Sequence, residues 1–158
     1  MVGRFRFVFI KFPVLALTCL ALASCGGAEP DTHAGQPVTK RKQVFKQMLR
    51  SFEPMGLTVR GREPYSKEEF LSQAMELQKL STQPWDYFTA DSNYKPTRAK
   101  ADVWQKPAEF KQAQLKFIDM AEQLSKTAQG GDLESIRRDF GKVEESCKAC
   151  HQQFRAAK

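Results

Sequence analysis

The chain has 158 residues, 41% of them hydrophobic and 27% charged, with 9 Gly, 8 Pro and 4 Cys. That length supports one domain with a real core and excludes two comfortable ones, and the composition excludes a low-complexity or disordered chain. A formal net charge of +7 first suggests a nucleic-acid partner, but the N-terminus changes that balance.

Residues 1–24 read as an export signal. Arg4, Arg6 and Lys11 give it a positive start, and from Phe12 to Ser24 the chain is apolar or small and uncharged. This run of about 13 residues is shorter than the ~20 helical residues that span a bilayer and matches a signal's apolar region. It ends in Leu22-Ala23-Ser24-Cys25-Gly26, which resembles the bacterial lipobox. That resemblance implies cleavage before Cys25, lipidation of its thiol and a periplasmic protein held to the membrane through lipid alone. Gly26 after the Cys resembles the pattern of lipoproteins passed to the outer membrane. The alternative is ordinary cleavage near Ala23-Ser24, with Cys25 a bystander. Cleavage before Cys25 removes three basic residues and no acidic ones, leaving 134 residues with a net charge of +4. The remaining charges interleave along helical segments, as on a solvated face. With no zinc finger and no aromatic-basic RNA motif, nucleic acid is set aside as a partner, while a positive surface can still steer an acidic redox partner.

Residues 25–38, rich in Gly, Pro and Ala, read as a flexible tether to the lipid, with His33 a solvated linker histidine. The folded domain is placed at 39–158. Helix A is predicted from about 39 to 60 with Thr39 as N-cap, Pro54 as an internal bend, and a buried stripe of Phe45, Met48, Phe52, Met55 and Val59. Helix B opens on the capping box Ser66–Glu69 and carries Phe70, Ala74 and Leu77 towards about Thr82. A connection over 83–106 holds Trp85, Tyr87, Phe88 and Trp104, too long and aromatic to lie free. Helix C starts at Pro107, buries Phe110, Phe117, Ala121, Leu124 and Ala128, and stops at Gly130-Gly131. Helix D follows Asp132 to the C-terminus. No stretch alternates like a strand, and short connections make A/B and C/D antiparallel pairs. The fold class is all-α, an antiparallel four-helix bundle.

The chemistry sits in helix D. Cys147-Lys148-Ala149-Cys150-His151 is a CxxCH motif, the attachment signal for one covalent c-type haem. Two thiols add across the vinyl groups as thioethers, and the histidine offers an imidazole nitrogen to the iron. At spacings of three and four residues, Cys147, Cys150 and His151 share one helical face. The stripe Ile136, Phe140, Val143, Cys147, Cys150, Phe154 runs independently along that face, so the cysteines occupy core positions. A zinc site lacks a fourth ligand outside the tether's His33. A thioredoxin-like CxxC lacks its strand–helix setting, and a disulfide inside a helix is rarer still.

From Arg41 to Arg155 the chain resembles the cytochromes c′, class II c-type cytochromes whose haem is attached near the C-terminus of a four-helix bundle. The matching pieces are Gly61-Arg62-Glu63-Pro64-Tyr65, Pro84-Trp85, Ala101-Asp102-Val103-Trp104, Gly131-Asp132-Leu133, and Phe140-Gly141 leading to the CxxCH motif. The resemblance implies a five-coordinate iron with His151 as axial ligand and an apolar pocket on the other side. It also implies binding of nitric oxide and carbon monoxide, electron transfer with an unidentified redox partner, and homodimers, commonly through helices A and B. Carried over residue by residue, Phe45 takes the distal position, where it cannot ligate. Arg41 and Lys42 fall at the haem edge, with Arg41 suited to a propionate. Arg155 lies four residues after His151 as a group that tunes the imidazole. Lys100 and Asp102 lie in the loop region that touches haem in relatives. The alternative is a six-coordinate, low-spin electron carrier with Met48 as second axial ligand. An enzyme such as a peroxidase is set aside, because the Phe45 stripe offers no distal general acid or base.

Overall fold

The computed structural model describes residues 29–157, so the signal segment, Cys25 and Lys158 lie outside the described residues. Helix α1 spans Pro37–Val59, α2 spans Lys67–Leu80, a short α3 covers Asp102–Gln105, α4 spans Pro107–Gly130 and α5 spans Leu133–Phe154. The short α3 and a 3-10 turn at Trp85–Tyr87 lie inside the connection for which the sequence predicts no helix.

Helices α2, α4 and α5 begin for local reasons. The Ser66 hydroxyl accepts the Glu69 amide at 3.3 Å and starts α2. Asp132 does the same for Ser135 at 2.9 Å and starts α5. Pro107 opens α4, and Gly131, at φ 78°, closes it in the left-handed region that favours glycine. The α1 helix runs through Pro54 to Val59.

The start of α1 differs from the expectation. Thr39 is its third residue rather than its N-cap, and Gln36 at the cap position offers no side-chain bond. The cap comes from upstream: Asp31 Oδ2 accepts the Thr39 amide at 2.9 Å, and Oδ1 accepts the His33 amide at 3.3 Å. Asp31 is only 5% exposed and also accepts the Tyr94 hydroxyl at 2.7 Å. His33 stacks on the Tyr94 ring, with centroids 3.5 Å apart. Residues 31–36 therefore pack against the fold instead of hanging free. A carboxylate near the positive end of a helix, with three donors to satisfy, gains more from docking than from solvation.

The four long helices close a ring, α1 against α2, α2 against α4, α4 against α5, and α5 back against α1. Inside lie Met48, Met55, Phe70, Leu77, Phe117, Leu124, Ile136, Phe140 and Val143. The apolar face of α1 is broader than its predicted stripe. Val44 joins Met48 and Met55 in the core, while Phe45 and Phe52 are half-buried beside it. A second cluster of Val103, Phe110 and Phe154 gathers at the end of the bundle where α1 and α4 begin and α5 ends. Among the described residues no helix is long and apolar enough to cross a membrane.

Candidate functional site

The two apolar clusters flank a cavity of about 950 Å³, at the upper end of the ~300–1,000 Å³ usual for small-molecule and cofactor sites. The last two turns of α5 bring Cys147, Cys150 and His151 to its wall, as the three- and four-residue spacing requires. Both cysteines are free and partly buried. Burial pushes the Cys147 thiol up to about 11, with the neighbouring Cys150 adding to it, and burial raises Cys150 as well. Both therefore stay protonated thiols at neutral pH. His151, at the rim, is held below its ordinary 6.5 by burial of the ring and then by the positive charges of Arg155 and Arg98. A neutral imidazole keeps a lone pair for a metal ion.

Facing α5 across the cavity, α1 supplies Arg41, Lys42, Phe45, Met48 and Phe52. Phe45 packs edge-on against Trp85 and Phe88, with centroids at 5.9 and 6.5 Å. Phe88 in turn meets Phe110 at 5.0 Å, and Phe110 meets Phe154 at 5.1 Å. These rings form a wall with no charge. Met48, 5% exposed, belongs to the core and also touches the cavity.

Arg41 is the least expected feature. It is 3% exposed, and its guanidinium donates to the Tyr87 carbonyl at 2.7 Å, Ser92 Oγ at 2.8 Å, the Ser92 carbonyl at 3.0 Å and Thr97 Oγ1 at 2.7 Å. Its Cζ also lies 4.5 Å from the Phe88 ring centroid. A buried cation is tolerated when its donors are satisfied, and these partners make Arg41 the clamp that fixes the 87–97 loop over the cavity. Burial lowers the Arg41 pKa from its ordinary value.

The far side of the same loop is tied to the chain's end. Ala99 and Arg155 form an antiparallel bridge, with the Lys100 amide bonded to the Phe154 carbonyl at 2.9 Å and the Ala156 amide to the Arg98 carbonyl at 2.8 Å. Lys100 Nζ reaches the Gln152 carbonyl at 2.8 Å. Lys42, Lys100 and Arg155 thus reach the cavity wall with Arg41 and Phe45. Asp102 does not line it. As the first residue of α3 it pairs with Lys106 one turn on, at 2.9 Å, which turns its carboxylate away from the wall. Cys25 lies outside the described residues. The sequence reading missed Arg98, whose Nη2 donates to the Ala156 carbonyl at 2.6 Å, and the Ser92–Thr97 acceptors of Arg41. Only the length of the connection marked them in advance.

The donor set fits a covalently held haem: two thiols and an imidazole on one face, bordering an apolar space of adequate size. Comparison with known proteins agrees. A family model described as Cytochrome C′ matches residues 36–155. The cytochrome c′ of Alcaligenes xylosoxydans xylosoxydans is 35% identical over 121 residues, covering 77% of this chain and 94% of that protein. The cytochrome c′ of Halomonas halodenitrificans is 30% identical over 135 residues, covering 82% and 99%. Among solved structures, the nitric oxide complex of a mutant cytochrome c prime from Alcaligenes xylosoxidans gives a TM-score of 0.74 at 34% identity, covering 77% of this chain and 95% of that one. A carbon monoxide-bound variant from the same source gives 0.75 at 32% identity, covering 81% and 100%.

Proposed function

The chain belongs to the cytochrome c′ family, whose members carry a covalently attached c-type haem, and on that premise we propose that it binds small diatomic gases such as nitric oxide at a five-coordinate iron and passes electrons. The observation that carries this reading is the single cavity bordered both by Cys147, Cys150 and His151 and by the non-ligating ring of Phe45. Relatives solved with nitric oxide and carbon monoxide supply the ligand class.

The haem, when bound, supplies a redox-active iron with one coordination position open to a gas. Cys147 and Cys150 would hold it through thioether bonds, and His151 would offer its imidazole nitrogen to the iron. Phe45, on the cavity wall supplied by α1, would exclude water and offers no lone pair. Arg41 and Lys42 on α1, with Lys100 on the loop, supply positive charge for the haem propionates, for which Arg41 has its Nε–H outside the four bonds to the loop. The charge of Arg155, four residues after His151, polarises the imidazole. Among the described residues lining the cavity there is no carboxylate, and no imidazole besides His151. That lining supports gas binding over acid–base catalysis, and we assign no enzymatic activity. We place the protein in the periplasm, anchored through lipidated Cys25 to the outer membrane, and assign it a homodimeric state.

The test is an absorption spectrum of the purified, reduced protein with and without carbon monoxide, together with denaturing gels. Haem should survive acid–acetone extraction, bind carbon monoxide at a high-spin iron, and be released on replacing both Cys147 and Cys150 by Ala. Haem that stayed bound through denaturation in that double variant would sink the assignment.

A further inference from the structure

Among the described residues, the cavity wall carries cations and no carboxylate. The cavity is lined by six cations, Arg41, Lys42, Arg98, Lys100, Lys148 and Arg155. Six ion pairs occur among the described residues, and they use Arg60, Lys79, Lys106, Lys126, Arg137 and Lys142. Not one of the cavity cations is among them. Where those cations are tied down, neutral oxygens do it: Arg41 by the loop, Arg98 by the Ala156 carbonyl and Lys100 by the Gln152 carbonyl. Nearby carboxylates are engaged elsewhere, Asp102 with Lys106 and Glu109 with Gln153. Arg41, Arg98 and Lys100 are thus held in place without being neutralised. Two haem propionates would cancel part of this charge and leave a positive surplus among the six cations.

We propose that the rim formed by Lys42, Arg98, Lys100, Lys148 and Arg155 is the docking surface for an acidic redox protein. The proposal rests on the electron-transfer part of the function above and specifies the partner's chemistry. Low-dielectric walls focus the field of like charges at a concave opening, so an acidic partner is steered to the one face where the cofactor can exchange electrons. An anionic bilayer would feel the same field, but it offers no electron. The step moves one electron from the reduced partner, oxidised by one unit, to the ferric centre, reduced by one unit, and no bond forms or breaks.

The haem-loaded protein, mixed in a stopped-flow instrument with a reduced acidic flavodoxin as probe, should be reduced fast at low ionic strength. The rate should fall on the order of tenfold or more as salt is raised. Lys148→Glu with Arg98→Gln should slow the low-salt rate about tenfold and flatten its salt dependence. The same change in net charge at the opposite end of the bundle, Arg62→Glu with Arg138→Gln, should leave the rate within about twofold. Lys148→Gln alone, which removes charge without adding the opposite one, should give a smaller slowing in the same direction. Reduction by an uncharged quinol mediator should be equal in the parent and in Lys148→Gln, which separates loss of docking from loss of a working haem. A rate that ignored salt, or fell equally with the remote pair, would overturn the proposal. So would binding of phosphatidylglycerol vesicles through Lys148 and Arg98 with no effect on the flavodoxin rate. Absence of covalent haem in the parent would instead remove the functional reading itself.

Discussion

Phe45 and Met48 lie on adjacent turns of α1 and both border the cavity, yet their surroundings differ. Phe45 is half-buried and packs edge-on against Trp85 and Phe88, whereas Met48 is 5% exposed and belongs to the core. On the proposed reading, a gas would reach the iron by displacing the Phe45 ring, so Phe45→Ala should speed carbon monoxide binding by about tenfold, corresponding to ~1.4 kcal/mol of barrier. Phe45→Met should convert a high-spin spectrum to a six-coordinate, low-spin one. A low-spin parent whose spectrum changed only in Met48→Leu would favour the electron-carrier alternative. Arg41 permits a test of a different kind. Its side chain donates four hydrogen bonds to one loop, so Arg41→Met should cost about 2–4 kcal/mol in urea unfolding. It should also raise hydrogen exchange over 87–97. Unchanged stability with full protection there would refute the clamp.

The long elements were legible because each signal was local. A Ser or Asp three residues ahead of its backbone partner, a Pro at a first turn and a left-handed Gly set the ends of α2, α4 and α5. The CxxCH face followed from spacing alone. What stayed hidden depended on contacts distant in sequence. Asp31 caps α1 from eight residues away and meets Tyr94 across 63, and Arg41 reaches Thr97 across 56. No window over the chain relates such residues, so from sequence 31–36 reads as tether and Arg41 as a haem-edge cation suited to a propionate. The strap at 31–36 has a pH signature. Burial pushes the Asp31 carboxylate up, but the Tyr94 hydroxyl and the Thr39 and His33 amides outweigh it and hold it below its ordinary 3.8. The Tyr94 phenol is pushed up to about 12 by burial and by that same bond. A depressed carboxylate contributes stability above its unfolded value and loses it as pH falls through the folded one. A raised phenol contributes below about 10 and loses it as pH rises through about 12. The strap should hold between about pH 4 and pH 10 and release outside that window. Asp31→Asn should show increased proteolysis near residue 33 at pH 7. Equal resistance of parent and variant would remove Asp31 from this role.

At the scale of the molecule, the strap bears on how the domain would sit under the lipid anchor proposed above. The chain enters the fold at Asp31, next to Tyr94 and ten residues before Arg41, so the entry point and the cavity mouth share one end of the bundle. With lipid on Cys25, the six residues from there to Asp31 allow at most about 20 Å of leash. If 31–36 were also free, the reach would roughly double. On the proposed anchoring, the strap would keep the cavity end close to the bilayer, where uncharged gases dissolve. No described core residue precedes Asp31, so Cys25→Ala should move the protein from the membrane to the soluble fraction. Its haem spectrum and unfolding midpoint should be unchanged. In the lipidated protein, Asp31→Ala should stay with the membrane while the distance from the bilayer to a fluorophore at position 148 lengthens in energy transfer to a labelled lipid. Retention of Cys25→Ala in the membrane fraction would rule out the lipid anchor. An Asp31→Ala distance identical to the parent would leave the anchor standing and show that the strap does not set the height of the domain.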